Sequence, residues 1–275
     1  MKKLALRLLI LGSCIMVIST AGLFLRWQFF TQFYTPLMWT GYILLADGLN
    51  YLLNKKSYIL TDRKEFVIML PFSIGYWYIF EFYNLFIDNW YYIGLPENMV
   101  IRIIGYFWAF ATIWPGVLET FQLIQNLKIR FPISIKPRTF SPRTMSLLMV
   151  AGAFFSIVPI LLPYQLATYT AVLVWTAPVL LIDPILFKLE RPSVLTELKK
   201  GSLNLLFQLF LAGAICGFLW ELWNYKAATK WIYKVPFGPD LYIFEMPVIG
   251  FLGFLPFAVE IFLMWELTRY YLKLK

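Results

Sequence analysis

Two short blocks put a carboxylate and an amide on one side of an apolar helix. Phe80-Glu81-Phe82-Tyr83-Asn84 and Trp220-Glu221-Leu222-Trp223-Asn224 each place Asn three residues after Glu, a spacing that brings both side chains to the same helical face. Such a pair can hydrogen-bond a shared polar group, a water or an ion, and an acid held among tryptophans can act as a general acid towards an apolar substrate. Glu81 and Glu221 are therefore the candidate catalytic acids. Asn84, Asn224, Trp220 and Trp223 are the candidate substrate-binding residues around them.

Four more acids stand in apolar surroundings: Asp47, Glu119, Asp183 and Glu260. Glu119 and Glu260 join the substrate-binding candidates. Each follows a proline by four residues, Pro115 and Pro256, and proline leaves a backbone carbonyl unpaired one turn earlier. A charged carboxylate inside a bilayer costs several kcal/mol unless it pairs, protonates or faces water, so such residues turn towards the bundle interior. All of these acids also have a plainer use, as polar links between helices. For Asp47 and Asp183, close to lysines and arginines, that use or an interfacial ion pair is the preferred reading. Glu119 and Glu260 fit either.

The elements that must carry these residues are membrane helices. Of 275 residues, 60% are hydrophobic and 14% are charged, against roughly 25% charged in ordinary soluble domains. A helix spans a bilayer with about 20 mostly apolar residues, and eight stretches qualify, at about 4–25, 34–53, 66–87, 99–122, 144–163, 168–187, 203–224 and 243–267. The expected fold class is all-α, an integral membrane helical bundle. The start, with Lys2, Lys3 and Leu11-Gly12-Ser13-Cys14, has the outline of a lipoprotein signal. Its apolar run continues to Leu25, however, so it reads as a retained first helix.

The net charge of +9 follows topology rather than nucleic acid. Nineteen of the 24 Lys and Arg residues fall on one side of an eight-span arrangement, Lys275 included. Arg26, Arg102, Lys226, Lys230 and Lys234 fall on the other. Positive-inside bias then places both termini in the cytoplasm.

The chain also repeats. Trp39-Thr40 followed by Asp47 recurs as Trp175-Thr176 and Asp183. The Glu-Asn block recurs from Glu81 to Glu221. A Trp-x-Tyr follows each block, at Trp90-Tyr92 and Trp231-Tyr233, and Pro115…Glu119 recurs as Pro256…Glu260. The offsets run from 136 to 141. Matches in the same order at a near-constant offset imply two copies of a four-span unit, 1–138 and 139–275, in the same orientation. Glu81, Asn84, Glu221 and Asn224 then form an outer polar layer, and Asp47, Glu119, Asp183 and Glu260 an inner one. Glu245 is expected at the start of the last helix, where it would favour the N-terminus. Gly250 and Gly253 would admit a close helix or a flat ligand.

Over residues 217–262, the Trp-Glu-x-Trp-Asn block, Ile243-Phe-Glu-Met-Pro247, Gly250-x-x-Gly253 and Pro256-Phe-x-x-Glu260 resemble a group of uncharacterised bacterial polytopic membrane proteins. The resemblance implies a bacterial inner-membrane protein. The duplicated helices with Pro-and-Glu motifs are also similar to membrane lycopene cyclases. In those enzymes paired glutamates follow soon after the proline, whereas Pro115…Glu119 and Pro256…Glu260 are spaced by four.

Several chemistries have no residues to support them. There is no histidine, and Cys14 and Cys216 belong to no CxxC pair. A Ser-His-Asp triad is excluded, and neither a metal site nor a cofactor is expected. No DDxxD-type diphosphate motif is present. The leading expectation is a protein that handles a membrane lipid or isoprenoid with an intramembrane glutamate as acid. The alternatives are a proton- or cation-coupled small-molecule transporter and a non-catalytic membrane scaffold.

Overall fold

The computed structural model describes every residue except Phe237, Pro239 and Lys275. The chain runs α1 (Lys2–Phe24), α2 (Gln28–Gln32), α3 (Tyr34–Asn54), α4 (Arg63–Ile87), β1 (Trp90–Ile93), α5 (Met99–Ala111), α6 (Ile113–Asn126), α7 (Pro142–Leu161), α8 (Tyr164–Ala167), α9 (Ala171–Lys188), α10 (Val194–Lys200), α11 (Asn204–Lys226), β2 (Lys230–Tyr233), β3 (Tyr242–Ile243), β4 (Met246–Pro247), a 3₁₀ segment (Val248–Gly253) and α12 (Phe254–Tyr271). It is a helical bundle. Among the described residues, seven helical segments are long and apolar enough to cross a membrane, so this is a multi-pass membrane protein. The expected span at 34–53, α3, falls outside that set; it carries Asp47 and Asn50, and over half of its residues are buried.

Small residues set the closest helix contacts. A Cβ on Gly12 of α1 would lie 2.4 Å from the carbonyl oxygen of Gly41 on α3, and one on Gly213 of α11 would lie 2.1 Å from that of Phe254. Such contact is how membrane helices gain packing energy when lipid is as apolar as their side chains. The core between them is aromatic. Trp39 packs 5.0 Å from Trp220 and 4.9 Å from Trp223, and Phe80 stacks on Trp175 at 4.4 Å.

The expected span at 99–122 is interrupted at Thr112, between α5 and α6. Ser73 of α4 causes part of the break. Its hydroxyl donates to the Phe110 carbonyl (2.5 Å) and accepts from the Trp114 amide (3.0 Å). It therefore stands between two groups that would otherwise bond each other in the helix ladder. Pro115 adds a missing N–H.

Two expectations change. Short strands occur in this otherwise helical chain: β1 pairs with β2 and β3 with β4, both antiparallel. Glu245 is not at the start of the last helix. It lies in the turn between β3 and β4 and forms an ion pair with Lys230, because residues 242–247 form a hairpin and α12 begins at Phe254. Lys275, counted above among the basic residues, lies outside the described residues.

Candidate functional site: an aromatic chamber under a strand pair

The strand pair is placed by the two asparagines. Asn84 donates to the Trp90 carbonyl (2.7 Å) and accepts from the amides of Asn89 (2.9 Å) and Trp90 (3.2 Å). Asn224 donates to the Trp231 carbonyl (2.9 Å) and accepts from the Trp231 amide (3.0 Å). Both amides are engaged by strand backbone, so neither shares a polar group with the glutamate one turn before it.

Alternation along a strand sends every second side chain to the same side. In β1, Trp90 and Tyr92 turn inward while Tyr91 and Ile93 are exposed. Trp90 is paired with Tyr233 and Tyr92 with Trp231, so these four aromatics share one face. All four line a cavity of about 460 Å³, within the size range of small-molecule sites. Trp39, Trp77, Trp175, Trp220 and Phe257 contribute its lower walls.

The candidate acids lie behind this wall. Glu81 Oε1 accepts from Trp77 Nε1 (2.7 Å), Trp90 Nε1 (3.2 Å) and Tyr92 Oη (2.5 Å). Glu221 is fully buried, and its Oε1 accepts from Tyr233 Oη (2.7 Å), which in turn accepts from Trp231 Nε1 (2.7 Å). Glu221 Oε2 has no hydrogen-bond partner among the described residues. Neither glutamate lines the cavity, but every ring that bonds one of them directly does. Burial, with the adjacent carboxylates adding to it, pushes the Tyr92 and Tyr233 phenols well above their ordinary range. They are therefore neutral hydroxyls that donate hydrogen bonds across the physiological range.

Of the other candidates, Trp220 lines the cavity, whereas Trp223 packs edge-on behind Trp39. Gly250 and Gly253 both line it, and a Cβ on Gly253 would meet nothing within 4 Å.

The second polar layer lies away from the cavity. Asp47 accepts from Ser57 Oγ (2.9 Å) and the Ile59 amide (2.6 Å), and Asp183 from the Leu195 amide (3.2 Å). In both cases a buried aspartate ties down the connection after its own helix, which agrees with the packing reading. Glu119 Oε2 accepts from Asn50 Nδ2 (2.7 Å), and Glu260 Oε2 from Tyr76 Oη (2.6 Å). Glu119 also meets the Asp47 carboxyl, while the other oxygen of Glu260 has no partner among the described residues. Glu119 and Glu260 are thus not brought together with Glu81 and Glu221.

Tyr92, Tyr233 and Trp77 are not among the candidate residues that the sequence suggests. The recurrence of Trp-x-Tyr after each Glu-Asn block was the signal that could have marked two of them.

Comparisons with protein-family models, curated proteins and solved structures find no match.

Proposed function

We propose that this protein binds the apolar body of a lipid or isoprenoid in the aromatic chamber and acts on it with a proton supplied by Glu221 through Tyr233. The observation that carries this reading is the position of one hydroxyl. Tyr233 Oη belongs to a cavity-lining residue and is also 2.7 Å from the buried Glu221. A hydroxyl has one proton and two acceptor sites. When Glu221 carries a proton it can donate to Tyr233 Oη, while Trp231 continues to donate to the same oxygen and the phenolic hydrogen turns into the chamber.

Transfer of that hydrogen to an unsaturated carbon of the substrate leaves a carbocation, and the faces of Trp77, Trp90 and Trp220 stabilise nearby positive charge. Loss of a neighbouring proton back along the same path regenerates Glu221. The net result is a rearranged or cyclised hydrocarbon with no other reactant consumed. Glu81 and Tyr92 offer a second, parallel relay. This chemistry fits the likeness to membrane lycopene cyclases, despite the different spacing of the Pro-and-Glu motif.

The proposal includes a topology of eight spans, with α3 as the second, in a bacterial inner membrane with both termini cytoplasmic. It also takes 1–138 and 139–275 as two parallel repeats. The duplicated roles of Asn84 and Asn224, and of Asp47 and Asp183, support the repeat.

The test is mass spectrometry of whole-lipid extracts from wild-type, deletion and complemented strains. A lipid species lost on deletion should stay lost with Glu221→Gln and with Tyr233→Phe while both variants remain in the membrane. Restoration of that species by either variant would refute the relay.

A transporter is the second reading, favoured by one observation. The 99–126 segment is interrupted at Thr112, and the 248–271 segment begins as a 3₁₀ turn that passes into α12 after Gly253; broken helices line transporter sites. Uptake into proteoliposomes without chemical change of the substrate would support it.

A further inference from the structure

The chamber's lining contains two cations, Arg102 and Lys230, and no acid. Their situations differ. Lys230 is held in an ion pair by Glu245 and lies 5.6 Å from the Tyr225 ring, so its charge is already matched. Arg102 has no acidic partner among the described residues. Its Nε donates to the Pro96 carbonyl at 3.0 Å, and its two terminal nitrogens bond no described residue. That Nε bond fixes the guanidinium near the N-terminal end of α5, above Tyr106, which lines the same cavity one turn further along.

Arg102 stands in the first turn of its span, where a long basic side chain reaches the interface, and it lines the cavity with no acid beside it among the described residues. Its planar pair of terminal nitrogens matches the oxygens of a phosphate or carboxylate and can bind them in bidentate fashion. The rest of the lining is mostly apolar and rich in aromatic rings, which suits a hydrocarbon chain.

Resting on the chamber reading above, we propose that the ligand is an anionic amphiphile: an isoprenoid chain seated among the tryptophans, with a terminal phosphate bound by Arg102. This adds a head-group specificity that the proton relay alone does not require. Lys230, held by Glu245, offers no free ion-pairing partner.

The experiment uses the full-length protein purified in detergent, with tryptophan fluorescence as the signal and three probes: geranylgeranyl monophosphate, geranylgeraniol and inorganic phosphate. Wild type should bind the prenyl phosphate about tenfold or more tighter than the alcohol, the scale of a charge-assisted contact. Arg102→Gln should bring that ratio close to one by weakening prenyl phosphate binding. Arg102→Lys should keep part of the preference. Thermal melting of each variant checks that it is folded.

Equal binding of phosphate and alcohol by wild type would overturn the head-group assignment while leaving the chamber reading intact. An unchanged ratio in folded Arg102→Gln would also overturn it. Inorganic phosphate binding as tightly as the prenyl phosphate would mean a free-anion site, and the amphiphile would be rejected. If neither prenyl probe binds wild type, the chamber reading fails and this inference fails with it.

Discussion

Tyr91 and Ile232 face each other across the β1–β2 strand pair, and they are 141 residues apart, the offset that separates Glu119 from Glu260. On either side of them the register is reciprocal. Trp90 pairs with Tyr233 and Tyr92 with Trp231, so each Trp-x-Tyr meets the other in reverse. A two-fold axis through the Tyr91–Ile232 pair would produce this self-complementary pattern, as in an isologous interface. The roof of the chamber is where a strand from the first half of the chain pairs with one from the second.

The roof should depend on the asparagines that place it. Asn224→Ala removes two hydrogen bonds to Trp231 and should cost about 1–3 kcal/mol. Asn224→Asp should cost more, because it sets a carboxylate oxygen against the Trp231 carbonyl. Thermal unfolding in detergent measures both. Asn84→Ala should behave like Asn224→Ala, and no effect from either would remove the amides from this role.

Filling the chamber should separate binding from folding. Gly253 has φ −66°, and a Cβ there meets nothing within 4 Å, so Gly253→Leu should fold and occupy ligand space. Gly213→Ala is the contrasting case, since its Cβ would sit 2.1 Å from the Phe254 carbonyl oxygen; overpacking of this kind costs about 1–3 kcal/mol. Prenyl-probe binding should be lost in the first variant, and thermal stability in the second. Undiminished binding by Gly253→Leu would place the ligand elsewhere.

The two kinds of buried acid should respond differently to substitution. Asp47→Ala loses bonds to Ser57 and Ile59 and should lower stability by about 1–3 kcal/mol. Glu221→Gln keeps an oxygen for Tyr233 and should change melting little while abolishing lipid turnover. A scaffold predicts the reverse for Glu221→Gln: a changed melting temperature with an unaltered lipid profile.

A pH-dependent contact fastens the roof from outside the spans. Burial tends to raise the Asp88 pKa, but the Tyr164 hydroxyl (2.8 Å) and the Lys234 ammonium (3.1 Å) outweigh it and hold the carboxyl below its ordinary value. Because the folded pKa lies below the unfolded one, the contribution is complete above the usual carboxylate range of about 4 and is lost as pH falls through the folded value. Melting curves of wild type and Asp88→Asn should therefore differ at pH 7 and converge in strong acid. A constant difference across that range would show that Asp88 acts without its charge.

The membrane class and the order of the long helices were legible in the sequence, because a run of about 20 apolar residues needs no partner to be recognised. Recurrence of Glu81-Asn84 as Glu221-Asn224 also marked the residues that build the roof. What they bond was decided only by the tertiary structure. In a membrane protein the lipid-facing and core-facing sides of a helix are both apolar, so periodicity says little about which way Trp77 or Trp220 turns. β1 and β2 pair across 141 residues, and each four-residue strand is too short to be stable before the bundle brings it to its partner. That pairing turns Tyr92 and Tyr233 inward, puts Glu81 and Glu221 behind them, and leaves Arg102 facing the cavity without an acid beside it.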